Sequence, residues 1–199
     1  MKTIKLLTKR VANFFYAMYI KFQILTIRRK DFTIICNTCI GGVIYHRLKM
    51  QFLSPTINMW MTSSDCIKFA LNIEEYINAS VNFVDNDVDG TPVAQINDIQ
   101  LHFNHERNNE EALAKWNRRK KRINYDNLVL IVREIKEDNV VISEQTFFSI
   151  FEKGYKKIIY LVNSKKDKNV FSKEIKLENG ENDWDIDFLG GDKMCVFVV

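Results

Sequence analysis

Two prolines and seven glycines in 199 residues leave little material for flexible spacers, which excludes a string of small domains on long linkers. Four cysteines in a chain of this size make no disulfide framework, and they read as reduced thiols of a cytoplasmic protein. With three histidines, no second Cys-x-x-Cys or closely spaced His pair completes a four-ligand zinc site. No metal or other cofactor is expected. Apolar runs are short as well. Val11–Ile20 is apolar, but Lys21 ends it well before the roughly 20 residues that span a bilayer. The stretch Phe22-Gln23-Ile24-Leu25-Thr26 is a poor signal-peptide cleavage site.

Acidic residues are missing from residues 1–30, which hold Lys2, Lys5, Lys9, Arg10, Lys21, Arg28, Arg29 and Lys30. Those eight charges exceed the net +4 of the whole chain, so residues 31–199 sum to −4. Six more positive charges crowd into Lys115–Arg122. Two basic patches on an acidic body do not make the broad basic surface of a nucleic-acid binder, and no nucleic acid is expected as a partner. The first 30 residues suit a basic amphipathic helix, lying on an anionic membrane surface at the inner face of the cell membrane or packed on the domain. The expected organisation is this segment, 1–30, followed by one domain, 31–199.

What is present alternates in type. Strands are expected over Thr33–Cys36, Thr56–Met61, Gln100–Phe103, Asn127–Ile135, Lys157–Val162 and Met194–Val199. Helices are expected over Gly42–Leu48, from Ser63 or Ser64 to about Ala79, over Asn108–Arg122 and over Ser143–Lys153. Asn108 and Glu111 have the spacing of a capping box, and Gly154 closes the last helix. Strand, helix and strand over 127–162 form a βαβ unit, which implies a parallel pair. The fold class is α/β, a mostly parallel sheet flanked by helices. Asp85–Gly90 has the polar spacing of a calcium loop but lacks helical flanks and a distal glutamate, and it reads as a turn.

Sites in such sheets gather at the carboxyl ends of strands. There the run Phe32-Thr33-Ile34-Ile35-Cys36-Asn37-Thr38-Cys39-Ile40-Gly41-Gly42 delivers Cys39 from a strand to a helix start. Unpaired N–H groups and the positive end of the helix dipole can lower a thiol pKa there, which makes Cys39 a candidate nucleophile. Cys36 could pair with it as in thioredoxin, although Asn37-Thr38 replaces the usual Gly-Pro interior and Cys36 still belongs to the strand. A nucleophile needs a base. His46 faces outward on the helix beside Arg47, and His102 sits in a strand, whereas His105 follows that strand in a loop and is the candidate base. Lys115, Arg118, Arg119 and Arg122 share one helix face at i, i+3, i+4 and i+7 and form a candidate anion site, with Trp116 on an adjacent buried face.

The segments Asp31–Gly42, Leu53-Ser54-Pro55-Thr56, His102-Phe103-Asn104-His105 and Lys115–Asn124, in this order, resemble a bacterial family of unknown function, number nineteen-nineteen in the domain-of-unknown-function series. The resemblance covers roughly residues 30–165. The family's first motif reads Ser-Asn-Asn-Cys. Cys39 and Asn37 match it, while Cys36 and Thr38 depart from it, so a redox pair is not a family requirement. The resemblance implies a setting in exopolysaccharide and capsular-polysaccharide biosynthesis, with some members labelled acyltransferases. On that basis the expected function is transfer of an acyl or related group to a glycan precursor. Cys39 would be the nucleophile and His105 the base. Asn37, Gly41 and Gly42 would steady developing negative charge, and Ser54 would line the substrate site. Lys115, Arg118, Arg119 and Arg122 would hold the phosphate of a nucleotide-, acyl- or lipid-linked sugar precursor. Two alternatives stand beside it: a non-catalytic module that binds glycan precursors or partners at the membrane, and a papain-like hydrolase with Asn104 or Asn124 orienting the histidine.

Overall fold

A β-branched run, Thr33-Ile34-Ile35, has the propensity for a pleated strand buried on both faces. In the computed structural model, which describes residues 31–84, 86, 87, 89–133, 143–162 and 195–198, it forms β1 (Thr33–Cys36), buried at every position. The basic segment 1–30 lies outside the described residues. From β1 the chain runs through α1 (Ile40–Arg47), α2 (Ser63–Leu71), α3 (Ile73–Asn78), β2 (Asn82–Phe83), β3 (Val93–Ile96) and β4 (Ile99–His102). It continues through α4 (Asn109–Lys120), β5 (Leu128–Arg133), α5 (Glu144–Glu152), β6 (Tyr155–Val162) and β7 (Cys195–Val198). The order in the main sheet is β1-β5-β6-β7, with β1, β5 and β6 parallel and β7 antiparallel to β6. The α/β class and the βαβ unit are as the sequence implies. A second, antiparallel sheet of β2, β3 and β4 is an addition to it.

Alternation along the parallel strands divides the core. Ile35, Leu128, Leu130, Val132, Ile158 and Tyr160 face α2, α3, α4, α5 and the second sheet, around the fully buried Phe69, Phe103 and Trp116. Ile34, Cys36, Val129, Ile131 and Ile159 face the other way, onto Ile44, Tyr45 and Leu48 of the α1 region and onto Ile57. Each such aliphatic side chain, fully withdrawn from water, contributes on the order of 1.5–3 kcal/mol before entropy is subtracted. Helix starts follow local chemistry. Asn108 Oδ1 accepts from Glu111 N at 2.8 Å, and Ser143 Oγ accepts from Thr146 N at 3.2 Å. Gly154 takes a left-handed backbone, φ 92°, to end the turn after α5.

Two expected elements differ. The strand expected over Thr56–Met61 is a turn-rich segment in which Trp60 alone forms a bridge, antiparallel to His102. Asn58 there adopts φ 61°, and Thr56 and Ile57 are buried consecutively, so neither the backbone nor the burial alternates as a strand requires. The helix expected up to Ala79 breaks at Asn72 (φ −134°, ψ 42°). Its start is capped by Thr62, whose Oγ1 accepts from Asp65 N at 3.0 Å. The break redirects the chain so that Ile73, Tyr76 and Ile77 join the core.

The outer edge of β1 is closed by hydroxyls in place of another strand. Tyr45 OH donates to Phe32 O and accepts from Ile34 N, both at 2.9 Å, and Thr56 Oγ1 accepts from Cys36 N at 3.2 Å. Buried backbone groups left unpaired cost about 1–3 kcal/mol each. Tyr45→Phe is therefore expected to lower unfolding free energy by about 2 kcal/mol, read as a shifted urea midpoint with an unchanged m-value.

Candidate active site

Where β1 ends, Asn37 holds the chain by its side chain. Its Nδ2 donates to Arg133 O and its Oδ1 accepts from Arg133 N, both at 2.8 Å, which continues the β1–β5 ladder through a carboxamide. The backbone is thereby free to turn, and Asn37 O accepts from Met61 N at 3.3 Å. Two residues later Cys39 is the N-cap of α1, with no side-chain hydrogen bond capping the helix and no acid in its first turn. Gly41 and Gly42 let α1 sit close. A Cβ at Gly41 would lie 2.7 Å from Ile57 Cδ1 and 2.8 Å from Cys36 Sγ, and one at Gly42 would lie 2.2 Å from Asn58 Oδ1.

Cys39 Sγ lies 3.2 Å from His105 Nε2. The two come from different sheets, one from the turn after β1 and the other from the turn after β4. Cys39 is partly buried and His105 exposed. Burial pushes the Cys39 thiol up from its ordinary value. The lowered pKa expected from the helix start is thus not found, because loss of solvent around the sulfur raises it. The arrangement suits a neutral thiol that donates S–H to Nε2, with the imidazole as proton acceptor.

His105 is carried on a short turn with buried flanks. Glu106 N donates to Phe103 O at 2.9 Å, Phe103 is fully buried, and Glu106 is 8% exposed. The Glu106 carboxylate is bound by Lys115 Nζ, and Arg119 Nη1 lies 3.9 Å from its other oxygen. Burial pulls the Lys115 ammonium down, but Glu106 and Glu111 outweigh it and hold its pKa above the ordinary value. Anchored at both ends, the turn presents Asn104 and His105 to the exterior.

The structure uses most of the expected binding residues internally. Asn37 is buried and engages its carboxamide with Arg133 N and O. Ser54 is buried, with Oγ accepting from Thr56 N at 3.2 Å and sharing a hydrogen bond with Thr56 Oγ1, so it shapes its loop. In the basic stripe, Lys115 is paired with Glu106 and Glu111, and Arg119 donates to Ile57 O at 2.8 Å with its guanidinium over the Phe52 ring. Arg122 Nη1 reaches Phe52 O at 3.4 Å, and Arg118 is exposed. Acids and carbonyls answer the stripe where an anion was expected. The Cys36 thiol donates to Thr38 O at 3.2 Å, and burial lifts it to about 11. Cys36 is a buried, packed thiol. His46 is exposed, whereas His102 Nδ1 lies 2.5 Å from Asp87 Oδ2 and its ring packs edge-on against Trp60. Asn124 donates to Asp31 O at the opposite end of β1, which removes it as an orienter of His105. No cluster of His, Cys, Asp or Glu suited to a metal ion occurs among the described residues. The sequence reading missed Glu106, since a lone acid in a polar loop carries no signal of burial, and it missed the half-buried Trp60.

The Cys36 thiol makes stability depend on pH. The unfolded chain ionises it near 9.0 and the folded one near 11, so its stabilising contribution is complete below pH 9 and fades as pH rises toward 11. Unfolding free energy is expected to fall by up to ~3 kcal/mol across that window. Cys36→Ala should flatten this part of the profile in denaturant titrations at pH 8 and pH 11.

Among the described residues no helix is long and apolar enough to cross a membrane. A Haemophilus influenzae protein named only as "Uncharacterized protein" is 29% identical over 130 residues, which is 62% of this chain. The chain spans about 63% of the length of that curated relative. The family described as "Domain of unknown function (DUF1919)" matches residues 10–185, a span that includes Cys39, His105 and the basic helix, and the chain belongs to this family.

Proposed function

We propose that the chain is a thiol-dependent group transferase, with Cys39 as the nucleophile and His105 as its general base. The observation that carries the reading is the 3.2 Å contact between Cys39 Sγ and His105 Nε2 at the carboxyl end of β1. As the sulfur bonds to the carbonyl carbon of an acyl donor, the thiol proton passes to Nε2. The donor's leaving group departs with that proton. A hydroxyl of the acceptor then attacks the thioester, gives its proton to Nε2, and the released thiolate takes it back. The uncapped first turn of α1 offers backbone N–H groups beside the sulfur for the developing oxyanion.

The glycan acceptor is supported by family resemblance, and the reading extends to surface-polysaccharide biosynthesis on that ground. The eight positive charges of residues 1–30 support a cytoplasmic place against the inner face of an anionic membrane. A papain-like hydrolase draws less support, since Asn124 is held by Asp31 and Asn104 is exposed.

Intact-mass measurement after incubation with an activated acyl ester is expected to show one acyl adduct on the wild-type chain. Cys39→Ala should abolish it, and His105→Ala should slow its formation by about 10²-fold, the scale of general-base assistance. Undiminished transfer by Cys39→Ala would remove the nucleophile from this reading.

A further inference from the structure

The thiol and the imidazole hang from different sheets, and a 3.2 Å contact between them needs something that fixes one loop against the other. On the imidazole side, the residue after His105 is the buried Glu106, whose carboxylate is held by Lys115 and approached by Arg119 Nη1 at 3.9 Å. On the thiol side, Ile57 Cδ1 occupies the space over Gly41, two residues beyond Cys39, at 2.7 Å from where a Cβ would stand. The carbonyl of that same Ile57 receives the hydrogen bond from Arg119 Nη1 at 2.8 Å. One nitrogen of one guanidinium thus faces both loops. Phe52 lies under the guanidinium, with 5.4 Å from Cζ to the ring centroid, and the Arg119 side chain is 7% exposed.

We infer that Arg119 is a positioning residue for the Cys39–His105 pair, tying the Glu106 turn to the Ile57 loop so that the imidazole meets the sulfur; this rests on the group-transfer reading of that pair. The charged groups around the guanidinium are Glu106, Lys115, Arg118 and Arg122. Lys115 already binds the Glu106 charge, so compensation of that charge does not by itself require an arginine. The planar guanidinium rests on the Phe52 ring, which fixes where Nη1 stands between the carboxylate and the carbonyl, whereas a lysine ammonium is a compact point charge on a flexible stem. Displacement of a catalytic group by as little as about 1 Å can cost 10²-fold in rate.

The test is the pH profile of Cys39 alkylation by iodoacetamide in the full chain, followed by mass spectrometry of the Cys39 peptide. Wild type, His105→Ala, Arg119→Lys and the double variant are compared, and thermal unfolding reports on folding. Arg119→Lys is expected to fold and to alkylate about 10²-fold more slowly at pH 7, the scale of a mispositioned base. It should match His105→Ala, with no further loss in the double variant. A wild-type profile in folded Arg119→Lys, with His105→Ala slowed, overturns the positioning role and leaves the proposed function standing. A wild-type profile in His105→Ala overturns both. Should Arg119→Lys fail to fold, Glu106→Gln decides in its place: a slowed profile supports the tie, and a wild-type profile overturns it.

Discussion

The carboxamide of Asn37 is the constraint on which the site depends. A strand that simply continued along β5 would carry its next residues into the sheet, and no side chain would be delivered to its end. By bonding both Arg133 N and Arg133 O through its side chain, Asn37 completes the last rung and releases its own backbone. Ser63 Oγ shares the same carbonyl at 3.0 Å, which brings the start of α2 to that point. Met61 N bonds Asn37 O, which adds the segment that bridges to the second sheet through Trp60. The end of β1, the end of β5, the first turn of α2 and the Trp60 bridge therefore meet around one amide. Cys39 stands two residues beyond it.

Electrostatics at the sulfur are a contest between burial and the helix start. An uncapped helix favours an anion by about 0.3–1 kcal/mol in exposed settings. Partial burial of Cys39 acts the other way and raises the thiol. A group of this kind is useful only with a proton acceptor in reach, and His105 supplies one. The chemistry proposed for this pair would thus depend on alignment between two sheets more than on a poised charge.

What could be read from the sequence was what is local. The β-branched run, the capping residue Asn108, the closing Gly154 and the βαβ spacing all act within a few residues, and each reappears in the fold. The contact between Cys39 and His105 came from reasoning about strand ends. The rest depended on partners far along the chain. Thr56 serves β1 with a hydroxyl, so its segment needs no ladder of its own. β2 has two residues, too few to carry a period, and the β3–β4 hairpin turns on Asn97 at φ 50°, without a neighbouring glycine. The spacing of Lys115, Arg118, Arg119 and Arg122 disclosed a shared face, but not that Glu106, Ile57 O and Phe52 O occupy it.

The hydroxyls along β1 have a consequence beyond stability. A parallel strand at the border of a sheet presents alternate amides and carbonyls that another polypeptide can adopt as a template. With Tyr45 bonded to Phe32 O and Ile34 N, and Thr56 to Cys36 N, that template is already filled from within the chain. A second molecule approaching this border meets Phe32 O, Ile34 N and Cys36 N already paired, so among the described residues these three rungs of the strand that leads to Cys39 are not open to extension.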